Sequence, residues 1–178
     1  MTDNSNKVQV IIIGDSQSML EHRKNMTELL GIFAYMIKAH DKDSLDLYFA
    51  TSADKRNEKT SSKLVRIVEK RRGSGDLGYT EMSVRLEQVL GDYTSKIQRE
   101  AKMAVRTRGL NVYIFTDAVW TPLCNIVPSI DRMVKTLTTY QLPEKQVGLQ
   151  FISFENNPDS LARLRLVDNC LMSKPEFP

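Results

Sequence analysis

The residues best suited to chemistry follow the first apolar stretch of the sequence. Residues 8–13 read VQVIII, and the polar run Gly14-Asp15-Ser16-Gln17-Ser18 comes directly after them. A second aspartate, Asp117, follows the apolar residues 112–116. Carboxylate and hydroxyl oxygens are ligands of the kind that Mg²⁺ prefers. If both apolar runs are parallel strands of one sheet, these oxygens meet at its carboxyl edge, where such sheets bind their ligands.

A third oxygen ligand is expected from a glycine-bearing segment. Gly73, Gly75 and Gly78 precede Thr80, which stands at the start of a predicted helix. The spacing G-x-G-x-x-G also matches a dinucleotide-binding fingerprint, but that motif needs a strand before it, and a basic helical segment stands there instead. We therefore interpret the segment as a loop that positions Thr80.

Apolar patterns predict the elements that must position these residues. Four short apolar runs are typical of strands buried on both faces of a parallel sheet, and the segments between them show helical spacing. Strands that alternate with helices predict an α/β fold with a doubly wound, mostly parallel central sheet and helices on both faces. The predicted strands are residues 8–13, 45–50, 112–116 and 147–154, and the predicted helices are 19–39, 62–71, 80–102, 126–140 and 158–171.

The same order of motifs resembles the von Willebrand factor type A domain. In that family a strand leads into D-x-S-x-S, a later loop supplies a threonine, and a later strand ends at an aspartate. Ser16, Ser18, Thr80 and Asp117 match four of these positions. The resemblance covers nearly the whole chain and implies a Rossmann-like fold with a metal-ion-dependent adhesion site. Three phrases resemble intracellular fungal members: DLYF (46–49), FTDAVW (115–120) and VGLQFISFENNP (147–158).

The chain departs from the family pattern at the first ligand. Gly14 stands where the family has its aspartate, and Asp15 is one position further on. Adjacent positions of a strand point to opposite faces, so Asp15 could replace the missing carboxylate only if the turn shifts by one residue. Fewer charged ligands weaken the binding of hard cations, and we expect a degenerate site that binds Mg²⁺ weakly or not at all. Alternatively, Ser16 and Ser18 only cap the following helix.

An enzymatic alternative rests on the tripeptide Gly14-Asp15-Ser16, which resembles the GDS block of serine hydrolases. A serine nucleophile needs a histidine that takes its proton. In those hydrolases the histidine lies near the C-terminus, and this chain has no histidine after His40. The sequence therefore disfavours a hydrolase that uses Ser16.

Composition excludes several other classes of function. The 178 residues carry a net charge of +3, which gives no reason to expect a nucleic-acid partner. Two cysteines and two histidines are too few for a common zinc site, and no apolar run reaches membrane-spanning length. We expect one cytoplasmic domain over residues 1–178, with flexible ends at 1–7 and 172–178.

These observations favour a protein-interaction module and not an enzyme. The resemblance implies that a protein partner binds the edge formed by Asp15, Ser16, Ser18, Thr80 and Asp117. Trp120 lies in the same predicted loop, where it either covers the end of the sheet or, if exposed, is a further candidate contact. A purely structural domain of a larger assembly stays open as an alternative.

Overall fold

Strands and helices alternate along the part of the chain that the structure describes. The structure is a computed structural model, and it describes residues 7–40, 43–71, 81–155 and 157–172. The strands are β1 (Lys7–Ile13), β2 (Leu45–Phe49), β3 (Lys55–Glu58), β4 (Gly109–Thr116) and β5 (Val147–Ser153). The helices are α1 (Arg23–His40), α2 (Ser61–Lys70), α3 (Met82–Lys102), α4 (Val127–Thr139) and α5 (Pro158–Met172).

All five strands form one sheet in the order β3-β2-β1-β4-β5. β1 pairs in parallel with β2 and with β4, β4 pairs in parallel with β5, and only β2 and β3 are antiparallel. The central position of β1 suits its composition, because Ile11 and Ile12 are fully buried and touch the core on either face. The prediction that β1 lies between β2 and β4 is confirmed.

Helices cover both faces of the sheet. One core cluster joins Val10, Ile12 and the inward side chains of α3, α4 and α5. The other joins Ile11, Ile13 and the inward side chains of α1 and α2. Alternate residues of β1 therefore enter different clusters, as the period of a strand requires. The predicted doubly wound α/β architecture is confirmed.

The structure differs from the sequence prediction in several local details. β3 was not predicted, because its residues KRNE lack apolar alternation; it is an exposed edge strand held by backbone pairing to β2. The first predicted helix begins as a short 3₁₀ turn (Ser18–Leu20), and α1 starts only at Arg23. Of the expected flexible ends, Lys7 belongs to β1 and Met172 to α5, while the others lie outside the described residues. No helix in the described ranges is long and apolar enough to cross a membrane.

Candidate functional site

The predicted site residues leave the sheet at its carboxyl edge, the edge where the parallel strands end. Ile13, the last residue of β1, is paired with Phe115 of β4. The next amide, Gly14 N, donates a 2.8 Å hydrogen bond to the carbonyl of Phe115. The segments that begin at Gly14 and at Asp117 therefore start side by side, and the topology brings the two halves of the predicted site to one place.

Ser16 and Ser18 lie close together after β1. Ser16 is fully buried, Ser18 is half-buried, and their hydroxyl oxygens are 2.9 Å apart. The 3₁₀ turn that follows is preceded by Gln17, whose side chain makes no capping hydrogen bond. The amide of Met19 instead donates to the backbone carbonyl of Ser16. The two hydroxyls are thus paired with each other at the edge of the sheet.

Asp15 is turned toward the neighbouring strand β2 and the end of α2. Its Oδ1 accepts a 2.9 Å hydrogen bond from the amide of Thr51, and its Oδ2 accepts one of 2.9 Å from Nε of Arg71. The side chain of Asp15 is only 4% exposed, so this ion pair is largely shielded from water. Arg71 also contacts Asp54 at 3.0 Å and lies 4.5 Å above the ring of Phe49.

The ion pair leaves almost no space around Asp15. The cavity that Asp15, Arg71 and Arg23 line measures about 10 Å³, which is barely enough for one water molecule. Both carboxylate oxygens already accept hydrogen bonds, and the guanidinium of Arg71 is the counter-charge of Asp15. Asp15 is therefore a structural carboxylate in this conformation rather than a ligand at hand for a metal.

Asp117 lies in the turn after β4 and differs from Asp15 in its contacts. It is fully buried, and its Oδ1 accepts a 3.0 Å hydrogen bond from the amide of Val119. Its Oδ2 is buried and has no hydrogen-bond partner among the described residues. A buried carboxylate oxygen without a partner is costly, and such an oxygen points to a ligand, an ion or a water molecule.

The turn that holds Asp117 is fixed from two sides. Ala118 has a left-handed backbone (φ 57°), and its amide donates a 2.9 Å hydrogen bond to the hydroxyl of Thr116. Arg163 of α5 donates through Nη1 to the carbonyls of Ala118 and Trp120, at 3.1 and 3.0 Å. The orientation of Asp117 is therefore determined by the strand end and by α5 together.

Trp120 cannot serve as the exposed contact that its position suggested. Its side chain is only 2% exposed and belongs to the core. The indole Nε1 donates a 3.0 Å hydrogen bond to the hydroxyl of Thr116, and the ring packs 6.3 Å from the ring of Phe151. The apolar ring covers the end of the sheet, because that position removes its large surface from water.

Gly14 occupies a crowded place. A Cβ atom there would lie 3.2 Å from the carbonyl oxygen of Phe115 and 3.4 Å from Cγ of Met19. Since Phe115 O belongs to a central strand, it has little freedom to move away. A side chain at position 14 is therefore strained by its first carbon atom, before any metal ligand is considered.

Thr80, the remaining predicted ligand, lies outside the described residues. The nearby start of α3 is described, and there the amide of Ser83 donates a 3.3 Å hydrogen bond to Sγ of Cys124. This contact ties the beginning of α3 to the loop that follows β4. Within the described ranges, no three His, Cys, Asp or Glu side chains are grouped so that they could hold a metal ion.

Sequence reasoning missed the arginines that organise this edge: Arg71, Arg85 and Arg163. Arg85 is only 5% exposed, and its Nε donates a 2.9 Å hydrogen bond to the carbonyl of Phe49 at the end of β2. One signal was available for Arg85, because it lies between Met82 and Leu86 on the apolar stripe of α3. An arginine at such a position needs buried acceptors. Arg71 and Arg163 show no comparable local pattern.

Comparison with known proteins finds a likeness of fold only. No protein-family model matches the chain, and no curated protein matches its sequence. Among solved structures, it is similar to proximal thread matrix protein 1 from the mussel byssus, with a TM-score of 0.50 and 11% identity over 93% of this chain. The match covers 48% of that protein, so the chain spans about half its length. The SpRpn10 VWA domain matches with a TM-score of 0.41 and 8% identity over 95% of both chains.

Proposed function

We propose that the chain is a protein-interaction module of the von Willebrand factor type A kind and not an enzyme. Its binding edge is formed by Ser16, Ser18 and Asp117, with Thr80 as the fourth expected member. The proposal rests on the motif order in the sequence together with the strand order β3-β2-β1-β4-β5, which brings the segments after β1 and β4 to one edge. A protein partner bound at that edge is the function that this arrangement supports best.

The observation that carries the proposal is the free oxygen of Asp117. Oδ2 is buried and makes no hydrogen bond to a described residue, whereas every other oxygen of Asp15 and Asp117 is used. A fold built only for stability gains nothing from a buried charge without a partner. The open oxygen is therefore the point at which we expect a ligand.

The donor set fits a divalent metal only weakly. Ser16, Ser18, Thr80 and Asp117 would hold Mg²⁺, and the bound ion would supply a positive charge to which an acidic side chain of a partner could bind. Only one of these ligands is charged, because Gly14 contributes no carboxylate and Asp15 is paired with Arg71. Since affinity for such cations depends on the number of charged ligands, weak binding is the expected result.

The interaction can be tested by comparing which proteins are captured by the wild-type chain and by each of two matched variants. Asp117→Asn keeps the acceptor for Val119 and removes the charge, and Asp168→Asn removes an equal charge from an exposed position on α5. We expect a partner that wild type and Asp168→Asn retain and that Asp117→Asn loses. If all three chains retain the same proteins, the edge is not the binding surface, and the purely structural alternative takes the place of this proposal.

The hydrolase alternative has a separate test. The hydroxyl of Ser16 lies 2.9 Å from that of Ser18, and the chain has no histidine after His40 to take its proton. We expect no turnover of activated esters above the buffer rate and no labelling of Ser16 by a fluorophosphonate. Stoichiometric labelling of Ser16 would overturn the proposal that the chain is not an enzyme.

A further inference from the structure

The margin of the molecule formed by β3 and α2 carries a dense positive charge. Residues 55–70, which include β3 and α2, contain six Lys or Arg and two Glu, a net charge of +4. Residues 96–108 carry an equal net charge, from five Lys or Arg and one Glu, but no strand lies among them. A field of one sign from a single region steers partners of the opposite charge toward it.

The cations of α2 lie on the side that faces away from α1. Val65 marks the side of α2 that approaches α1, since its Cγ2 would be 3.4 Å from a Cβ at Gly31. Lys63, Arg66 and Lys70 are about 100° to 160° around the helix from Val65, given 3.6 residues per turn. All three are exposed. They form one stripe along the outer flank of the helix.

The strand β3 adds two more cations to this flank. Arg56 is paired with Leu47, a residue of the core cluster beneath α1 and α2, so Arg56 projects on the α2 face of the sheet. Lys59 lies in the short connection between β3 and α2. Lys55 does not belong to the set, because it is paired with Asp46 at 3.1 Å. None of the five remaining cations forms an ion pair with a described residue.

These five residues and the open strand define a surface, which we name the basic margin: Arg56, Lys59, Lys63, Arg66, Lys70 and the outer edge of β3. β3 is the last strand on its side of the sheet, so its outer backbone groups have no strand partner in the described part of the chain. An open strand edge pairs with an extended chain, and side chains beside it select the sequence.

We propose that the basic margin binds an acidic, extended protein segment that adds a strand to β3. The charges supply the attraction, and the backbone of β3 supplies the hydrogen bonds. A protein segment fits better than nucleic acid, because only a polypeptide can continue the strand pairing of β3. This surface is separate from the carboxyl edge and does not depend on its function.

The test uses a fluorescein-labelled peptide of alternating Glu and Val residues, and anisotropy measures its binding to the full chain. We expect wild type to bind it, with affinity that falls as salt is raised. The double variant Arg56→Glu/Lys59→Glu should lose about tenfold or more, because like charges then face each other. The control Lys135→Glu/Arg165→Glu changes the net charge equally at exposed positions on α4 and α5, and it should bind as wild type does. Circular dichroism checks that both variants are folded.

Two further probes separate strand addition from simple charge attraction. The same peptide with alternate backbone nitrogens methylated keeps its charges and loses its donors, so we expect it to bind at least about tenfold more weakly. A single-stranded oligo-dT of equal charge should also bind more weakly than the unmodified peptide. Equal weakening by the two double variants, equal binding of the methylated peptide, or tighter binding of oligo-dT would each overturn the proposal.

Discussion

Two aspartates at the same edge of the sheet differ in how their carboxylate oxygens are hydrogen-bonded. Asp15 follows β1 and Asp117 follows β4, and both are almost completely buried. Asp15 has a hydrogen-bond donor on each oxygen, one of them the guanidinium of Arg71. Asp117 has one backbone donor on Oδ1 and none from a described residue on Oδ2. Burial alone therefore does not tell a structural carboxylate from one that is available to a ligand.

The difference comes from what the neighbouring elements deliver to each carboxylate. α2 ends beside β1 and β2, and Arg71, the residue after its last turn, reaches Asp15 from there. On the β4 side, Arg163 donates its hydrogen bonds to the carbonyls of Ala118 and Trp120 and not to Asp117. Arg71 satisfies Asp15, whereas Arg163 only holds the turn around Asp117. Both oxygens of Asp15 are satisfied within the fold, whereas Oδ2 of Asp117 has no partner among the described residues, and we propose that a ligand binds there.

The largest expected effect comes from removing the cation that serves Asp15. Arg71→Met leaves that carboxylate buried without a counter-charge, and breaking such a pair costs about 3 kcal/mol in the free energy of unfolding. Adding Asp15→Asn in the same chain should recover much of the loss, because the neutral amide no longer needs the guanidinium. Urea unfolding of the wild type, the single variants and the double variant measures this coupling.

Asp54→Asn is the matched control for that experiment. Asp54 contacts the same guanidinium at 3.0 Å, but its side chain is 51% exposed. An exposed ion pair contributes roughly 0–1 kcal/mol, so this variant should unfold almost as wild type does. If Arg71→Met and Asp54→Asn prove equally mild, water reaches Asp15, and its contrast with Asp117 disappears.

The second prediction concerns Gly14, where the family pattern would place a carboxylate beside Asp117. Gly14→Ala should cost about 1–2 kcal/mol, since its Cβ would lie 3.2 Å from the carbonyl of Phe115. Gly14→Asp should cost more in the presence of a chelator, because the new carboxylate and Asp117 repel each other across the edge. Saturating Mg²⁺ should return part of the loss for Gly14→Asp and none for Gly14→Ala.

Thermal unfolding of both Gly14 variants with and without Mg²⁺ separates crowding from charge. Calorimetric titration should show Mg²⁺ binding to Gly14→Asp that is tighter than to wild type. Equal stabilisation of wild type and Gly14→Asp by Mg²⁺ would mean that the wild-type edge already has its missing ligand. In that case Asp15 would be a ligand of the metal in addition to Asp117.

The sequence predicts the frame of this edge well and its contacts poorly. Residues 8–13 are β-branched almost throughout, so a strand buried on both faces removes the most apolar surface from water. β1 is indeed the central strand of the sheet. The pairing of Asp15 with Arg71 joins residues 56 positions apart, and no local spacing in the sequence predicts it. The sequence left the position of Trp120 open for a related reason, since a loop residue beside a sheet can equally well face the solvent or cover the sheet's end.

The short strand β3 escaped prediction because its stability comes from its partner. Its residues KRNE have no apolar face, and three of the four are exposed. Backbone pairing to β2, and not burial of side chains, holds it in place. Patterns of hydrophobic residues cannot reveal such a strand.

The smallest expected effect, and the one that sharpens the comparison most, belongs to Asp117→Asn. In the presence of a chelator this change removes a buried charge and keeps the acceptor for the amide of Val119. We therefore expect the free energy of unfolding to rise, by less than about 1 kcal/mol, because the uncompensated charge is gone. Asp15→Asn should instead lower it, since that change leaves Arg71 without its buried counter-charge. The pair of otherwise identical substitutions thus differs in sign. A loss for Asp117→Asn as large as that for Asp15→Asn would show that Asp117 is held by an internal partner, and the carboxyl edge would then have no open carboxylate to offer.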